Sequence, residues 1–224
     1  LHGRDRRQRQ MCIRDSDVID QGDIIQQAGP NASVGENNTN GSFATAFDIG
    51  LFSDSNATNG IHFVSSVISI CATNPITLQA GDLLLSSGSD MVLKSNGAGS
   101  PSNLTLSQDS IVYFRPDLIG DYSKGNFYKL LYDPLKDGAQ ITAVTLVERD
   151  VFVGDYQLKK GDFLFAKNSV SSQSDIWLFR SETIDTQLIT SYPATLKFIN
   201  GEDTGVNIAG NLSGIDILLS LIHI

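Results

Sequence analysis

The stretch ITLQAGDLLLSS, residues 76–87, recurs 80 positions later as YQLKKGDFLFAK, residues 156–167. In this alignment Gly81-Asp82 coincides with Gly161-Asp162, directly before a run of apolar residues. A glycine at this point supplies the positive φ of a tight turn, and an aspartate can accept a hydrogen bond from the local backbone. The runs LLL and FLF do not alternate with polar residues, so both faces of these strands are predicted to be covered.

The similarity extends outward from this pair of segments. AFDIGLF (46–52) aligns with NFYKLLY (126–132), VSSVISI (64–70) with ITAVTLV (141–147), and DSIVYFRP (109–116) with SDIWLFRS (174–181). These runs are rich in Val, Ile, Leu, Phe, Tyr and Thr and are separated by Gly, Asn, Asp and Ser, which is typical of short β-strands joined by turns. The sequence therefore predicts an all-β chain built from a repeated unit.

Each unit is predicted to hold about four strands. A four-stranded unit repeated in tandem indicates a β-propeller-like fold, with a tandem β-sandwich as the alternative. The predicted organisation is a truncated repeat and linker over 17–60, repeat units over 61–140 and 141–211, and the start of a further repeat over 212–218. Within the first of these segments, residues 26–42 are predicted to form a long loop or linker.

Both ends of the chain read as translated sequencing-library adapter. Residues 219–224, LSLIHI, match one orientation of a transposase adapter in frame, and residues 6–16, RRQRQMCIRDS, match the opposite orientation. We therefore assign 1–16 and 219–224 to adapter and expect the natural segment to span 17–218, as an internal piece of a longer reading frame. Such segments are set aside before the fold is considered.

The corrected charge excludes some classes of partner. The chain has 16 basic and 25 acidic residues, and removing the five arginines and two aspartates of the adapters leaves 11 and 23, a net charge of −12. An acidic chain without a basic stripe is predicted not to bind nucleic acid, because phosphate contacts need Lys and Arg. No apolar run reaches the ~18 residues of a membrane span, so no membrane insertion is predicted for this segment.

Several phrases together resemble a known repeat. GDLLLS, DSIVYFRPDLIGDYSKGNFYKLLYD, LVERDVFVGDYQLKKGDFLFA and DIWLF, which fall within 61–218, resemble a repeat of very large secreted or surface proteins of bacteria, many of them marine. Those proteins often also carry cadherin-like or hemolysin-type calcium-binding repeats. The resemblance implies an extracellular or cell-surface location and an adhesive or matrix role, and it carries no catalytic residues over to this chain.

Single reactive residues are predicted to be structural. His62 lies between apolar residues, and no second histidine or nucleophile motif in the natural segment accompanies it. Cys71 has no nearby positive charge that would activate a thiol, so it is read as a small buried residue. Asp109 and Asp175 precede equivalent strands, which favours a role at the strand start over a glycosidase pair. The aromatic residues of these strands, Trp177, Tyr113 and Phe179, are predicted to pack in the core, with a carbohydrate platform as the alternative.

Calcium is the one metal that the sequence keeps open. DSNATNG (54–60) places oxygen donors at Asp54 and Asn56, and the acidic turn NGEDTG (200–205) offers Glu202 and Asp203. The first segment is not an EF-hand, because Asn59 stands where that loop requires glycine and Ser65 stands at the position of the bidentate glutamate. Asp54, Asn56, Glu202 and Asp203 are therefore the predicted ligands if calcium binds, and no other cofactor is expected.

Three functions follow from these observations. The first is a non-catalytic structural or adhesive repeat module of a large extracellular bacterial protein, whose partners are neighbouring repeats of the same chain and surface glycans. The second is a calcium- or glycan-binding β module. The third is a fragment of a β-propeller lyase or hydrolase, which the lack of a nucleophile motif disfavours.

Overall fold

A computed structural model describes residues 24–33, 40–55, 57–70, 75–99, 103–134, 137–168, 175–180, 196–199 and 215. Over these ranges the chain forms β-strands and one 3-10 turn, Ile49–Leu51, with no α-helix, so the all-β prediction is confirmed. In chain order the strands are β1 (Ile24–Ser33), β2 (Asn40–Phe47), β3 (Thr58–Phe63), β4 (Ile68–Ile70), β5 (Ile76–Leu78), β6 (Leu83–Ser87), β7 (Met91–Leu93), β8 (Leu104–Leu106), β9 (Ser110–Leu118), β10 (Asp121–Tyr132), β11 (Gln140–Leu146), β12 (Val151–Val153), β13 (Tyr156–Leu158), β14 (Phe163–Asn168), β15 (Ile176–Phe179) and β16 (Leu196–Ile199).

Two four-stranded antiparallel sheets organise the described part of the chain. The first has the order β10-β9-β6-β3 and the second the order β11-β14-β15-β16. In each sheet, the strands that are neighbours in space follow one another along the chain, with small hairpins inserted between them. Each sheet is therefore a meander, the arrangement that needs the shortest connections between antiparallel strands.

The same hairpin lies between the first and second strands of both sheets. In the first sheet β4 pairs with β5, joining Ile68 to Leu78 and Ile70 to Ile76. In the second sheet β12 pairs with β13 in the same register, joining Val151 to Leu158 and Val153 to Tyr156. The two sheets are therefore equivalent down to the pairing of individual residues.

The Gly-Asp step adopts the predicted turn in both copies. Gly81 has a φ of 96° and Gly161 a φ of 94°, in the left-handed region that favours glycine. The carboxylate of Asp82 accepts a hydrogen bond from the backbone N–H of Gln79 at 2.8 Å. Asp162 accepts one from Lys159 at 2.9 Å, so the repeated dipeptide builds the same turn twice.

Each sheet presents two apolar rows, because residues paired across antiparallel strands point to the same face. In the first sheet, the row containing Leu83, Phe114 and Phe127 packs with the residues that precede the sheet, among them Phe47 and Phe52. The opposite row, containing Leu84 and Tyr113, belongs to the cluster shared with the second sheet.

The second sheet repeats this division of its two faces. Phe163 and Phe179, paired across β14 and β15, belong to the cluster shared with the first sheet. Leu164 and Leu178, the next pair along the same strands, belong to a third cluster on the far face. Ile215, the last described residue, packs against that far cluster.

Three details differ from the sequence prediction. Residues 26–42 were predicted as a loop, but 26–33 and 40–42 lie in the paired strands β1 and β2, because main-chain pairing does not require apolar side chains. Residues 104–106, to which the sequence prediction assigned no strand, form β8, which pairs with β7.

The alignment of 64–70 with 141–147 is also wrong, because Val64 and Val147 hold equivalent places. Val64 donates its backbone N–H to Asp82 O and accepts from Gly81 N, and Val147 does the same with Asp162 and Gly161. The propeller-like arrangement and its sandwich alternative both remain predictions for the described strands.

Candidate functional site

The chemically richest region of the described chain is the contact between the two sheets. Strand β3 of the first sheet approaches β11 of the second at Gly60. A Cβ atom added to Gly60 would lie 3.0 Å from both Ala143 Cα and Val144 N, and 2.7 Å from Ser86 Oγ. The absence of a side chain at this position therefore permits the close approach of two backbones.

A buried hydroxyl bridges the two sheets at the same place. Ser86 Oγ accepts a hydrogen bond from Gly60 N at 2.9 Å and donates one to Ile141 O at 3.1 Å. A second bridge runs from Gln140 Nε2 to Gly88 O, at 2.5 Å. These contacts satisfy polar backbone groups that the contact between the sheets would otherwise bury without partners.

A second feature, found in both sheets, is an arginine clamped on the Gly-Asp turn. In the first sheet Arg115 contacts Asp82 through two hydrogen bonds, Nε to Oδ1 at 3.0 Å and Nη2 to Oδ2 at 2.6 Å. Arg115 Nη2 also donates to Thr77 O at 2.8 Å. The hydrogen bond to Asp82 raises the pKa of Arg115 above its usual value, so the pair is ionic.

The equivalent residues in the second sheet repeat this contact with looser geometry. Arg180 Nη1 lies 3.5 Å from Asp162 Oδ2, and Arg180 Nη2 donates to Gln157 O at 3.2 Å. Both aspartates are 1% exposed. A buried carboxylate requires such a partner, since an unpaired charge in the interior is costly.

Glu148 forms the third feature, a polar cluster between the sheets. Its carboxylate accepts hydrogen bonds from Ser65 N at 2.7 Å, Ser65 Oγ at 2.5 Å and Ser66 Oγ at 2.8 Å. Glu148 Oε1 lies 3.3 Å from Nε2 of His62, whose Nδ1 is 3.1 Å from Thr145 Oγ1.

The ionisation of Glu148 follows from these contacts. Burial alone would raise the pKa of Glu148, but the hydrogen bonds from Ser65 and Ser66 and the charge of His62 bring that pKa below its usual value. These contacts run from Thr145 through His62 to Glu148, which is the order of nucleophile, base and acid in a catalytic triad. Thr145, however, is buried. The cluster therefore serves to join the sheets, since a nucleophile must be reached by its substrate.

The predicted calcium ligands are only partly within the described residues. Asp54 is highly exposed and forms an ion pair with Lys94 at 2.7 Å. Asp54 also lines a hollow of about 300 Å³ with Asp90, Ser53 and Ser55. Asn56, Glu202 and Asp203 lie outside the described residues, and no group of three or more metal-ligating side chains occurs in the described ranges. Calcium binding at these positions stays a prediction.

The two carboxylates weighed as a glycosidase pair occupy strand starts. Asp109 lies in the turn before β9 and accepts a hydrogen bond from Ser110 Oγ at 3.0 Å. Asp175 immediately precedes β15, is buried, and pairs with Lys197 Nζ at 2.6 Å. Each carboxylate therefore takes part in local structure just before a strand of its own sheet.

The aromatic residues weighed as a carbohydrate platform pack mainly in the shared core. Tyr113 and Phe179 are buried members of the cluster between the sheets. Trp177 is partly buried, and the ammonium groups of Lys167 and Lys197 lie 4.3 and 5.7 Å from the centre of its ring. Cys71, predicted to be buried, lies outside the described residues.

An open apolar hollow lies on the other side of the first sheet. It has a volume of about 800 Å³, and Phe63, Phe47, Leu83 and Tyr122 contribute to its walls. The rings of Phe63 and Tyr122 meet edge to face with their centres 6.3 Å apart. The carboxylate of Asp121 also lines this hollow.

Comparison with protein-family models, curated proteins and solved structures found no match for this chain. Over the described ranges there is no helix with the length and apolar character needed to cross a bilayer.

Sequence reasoning overlooked the arginine clamps and the Glu148 cluster. A signal for the clamps was present, because the aligned segments DSIVYFRP and SDIWLFRS carry Arg115 and Arg180 at the same place. An arginine that recurs at the same place in both copies, together with a recurring Gly-Asp step, indicates an ion pair between the two. No comparable signal marks Glu148, whose partners His62 and Ser65 come from the other sheet.

Proposed function

We propose that this chain is a structural and adhesive repeat segment of a large extracellular protein of a bacterial surface, and that it is not an enzyme. Its partners would be neighbouring repeats of the same protein, and surface glycans at its loops. The proposal extends the resemblance of the 61–218 segment to repeats of secreted bacterial proteins.

The observation that carries this proposal is the two-faced sheet. Each four-stranded sheet has one apolar row toward the preceding part of the chain and a second apolar row on the opposite face. A unit of this kind buries its core only by stacking on its neighbours, which is the property that makes repeat proteins extended and rigid. The net negative charge of the chain favours solubility of a long array.

The direct test is to read the gene from unfragmented DNA of its source. We expect the reading frame to continue through further units of the same kind and to begin with a secretion signal. Continuation into a catalytic or nucleotide-binding domain would contradict the proposal, because the sheets would then be an accessory to that activity.

A biochemical test addresses the absence of catalysis. The full chain, incubated with polysaccharides such as alginate, agarose and chitin, is expected to release no new reducing ends. Release that disappears in Asp109→Asn or Asp175→Asn variants would show that the chain is a fragment of a lyase or hydrolase.

The second candidate is a glycan-binding module, which the hollow beside Phe63 and Tyr122 favours. The exposed ring of Phe63, the partly buried ring of Tyr122 and the nearby Asp121 can offer a sugar both an apolar face and a hydrogen-bond acceptor. Calorimetric titration with alginate, agarose and chitin oligosaccharides should then detect binding that Phe63→Ala abolishes. Phe152→Ala, which removes an exposed ring on the other sheet, should leave that binding unchanged. Failure of all three sugars to bind would argue against this candidate.

A further inference from the structure

The hairpin of the second sheet exposes apolar side chains that its counterpart in the first sheet buries. The shared register makes Ile70 equivalent to Val153, and Ile76 equivalent to Tyr156. Ile70 is 1% exposed, whereas Val153 is 41% exposed. Ile76 is partly buried, whereas Tyr156 is 53% exposed.

Among the described residues, the two hairpins differ in the neighbour that packs on them. Ile68, Ile70 and Leu78 of the first hairpin lie in one cluster with Ile141 and Phe163 of the second sheet. The second hairpin has Val151 and Leu158 in the corresponding places. Leu158 is buried in a separate cluster, whereas Val151, Phe198 and Ile215 pack against that cluster and are only partly buried. Tyr156 touches Phe198 edge to face, with ring centres 5.6 Å apart, and otherwise remains largely exposed.

The other side of the hairpin provides an internal control. Ser69 and its equivalent Phe152 are both exposed, although the first hairpin packs against the second sheet. A covering unit therefore buries one side of this hairpin and leaves the other side in solvent. The two hairpins therefore differ in exposure only on one side, which is the side that the second sheet covers in the first hairpin.

We propose that the face formed by Val151, Val153, Tyr156, Ile176 and Phe198 is a docking surface for a further four-stranded unit of the same repeat. This inference rests on the proposed repeat function and names the partner and the surface. Its occupant is a unit whose opening strand lies on this face. Ile215, in the segment predicted to open a further repeat, already packs there.

The test compares the chain with a longer version of itself. In the longer version, a second copy of residues 137–211 is joined after Gly210, and Cys12 and Cys71 are changed to serine in both chains. Val153→Cys then introduces a single thiol on the proposed surface. Phe152→Cys, made separately, places a single thiol on the control side of the same strand.

We expect a thiol reagent to modify Val153→Cys on the order of tenfold more slowly in the longer chain, because the added unit removes this position from solvent. The rate at Phe152→Cys should be the same in both chains. Equal rates at Val153→Cys, with the added copy folded by circular dichroism, would overturn the proposal. An added copy that stays unfolded beside an intact second sheet would overturn it too, since the surface would then not support a unit.

The outcomes separate this inference from the proposed function. Protection of Val153→Cys establishes the surface even if the gene is found to encode an enzyme. Continuation of the gene through further repeats, combined with unchanged labelling, would leave the function standing and place the contact between units elsewhere.

Discussion

The two four-stranded sheets share their strand order and registers but differ in what covers them. The first sheet packs between the residues that precede it and the second sheet, whereas the far face of the second sheet belongs to a separate cluster with partly buried residues such as Phe198 and Ile215 at its border. Equivalent residues such as Ile70 and Val153 therefore occupy the same backbone position with very different burial. The difference shows that local sequence determines the strand, while the neighbouring unit determines how much its side chains stabilise the fold.

The largest expected effect concerns the two arginine clamps. Arg115→Met leaves Asp82 buried without its ionic partner and should lower the free energy of unfolding by about 3–5 kcal/mol. Arg180→Met should cost less, because the ion pair of Arg180 with Asp162 spans 3.5 Å, against 2.6 Å for Arg115 with Asp82. Urea unfolding of both variants at pH 7 measures the difference. Equal losses would mean that the two clamps have the same strength.

Truncation of the two hairpins tests the comparison directly. Ile70→Ala removes a fully buried side chain and should lower the free energy of unfolding by about 2–4 kcal/mol. Val153→Ala, at the equivalent exposed position, should change it by less than about 1 kcal/mol. Thermal and urea unfolding give both values. A large loss at Val153 would contradict its exposure in the folded chain.

A methyl group at the closest approach of the sheets should disturb their contact. Gly60→Ala places a Cβ against backbone atoms of Ala143 and Val144 and should cost about 1–3 kcal/mol. Gly120→Ser serves as a control for a glycine with free space around its Cα, although its positive φ adds some strain. An unchanged free energy of unfolding in Gly60→Ala would show that the sheets can move apart without loss of stability.

The Glu148 cluster should make the contact between the sheets sensitive to acid. Because the pKa of Glu148 is lowered in the folded protein, its contribution to stability is complete above the ordinary value near 4.5 and is lost as the pH falls through the lowered value. The free energy of unfolding should therefore fall more between pH 5 and 3 in the unaltered chain than in Glu148→Gln. Parallel pH profiles for the two proteins would remove Glu148 from the acid response.

The smallest effect is expected at the surface pair of Asp54 and Lys94. Asp54→Asn should change the free energy of unfolding by less than about 1 kcal/mol, because solvent screens an exposed ion pair. The same variant tests the predicted calcium site. A melting temperature that rises with millimolar calcium in the unaltered chain, and not in Asp54→Asn, would establish calcium binding there, and Asp203→Asn would test the second acidic turn.

Local sequence patterns predicted many of the described strands and the two Gly-Asp turns. Gly81 and Gly161 adopt the positive φ that their place before an apolar run predicted, and Asp82 and Asp162 accept the local backbone hydrogen bonds. The same reasoning missed β1, because residues 26–33 lack the apolar pattern that marks a strand. It also aligned 64–70 with 141–147 wrongly, since short β-rich runs have similar sequences even where they occupy different places in the fold.

Only the tertiary structure decided which face of each sheet meets which neighbour. Ser86 bridges to Ile141, and Glu148 reaches Ser65 and His62, through contacts that join residues far apart in the chain. No periodicity in one segment encodes such partners, because they depend on how two sheets are placed in space. For the same reason, the sequence alone could not distinguish the buried Ile70 from the exposed Val153, which occupy equivalent positions in equivalent hairpins.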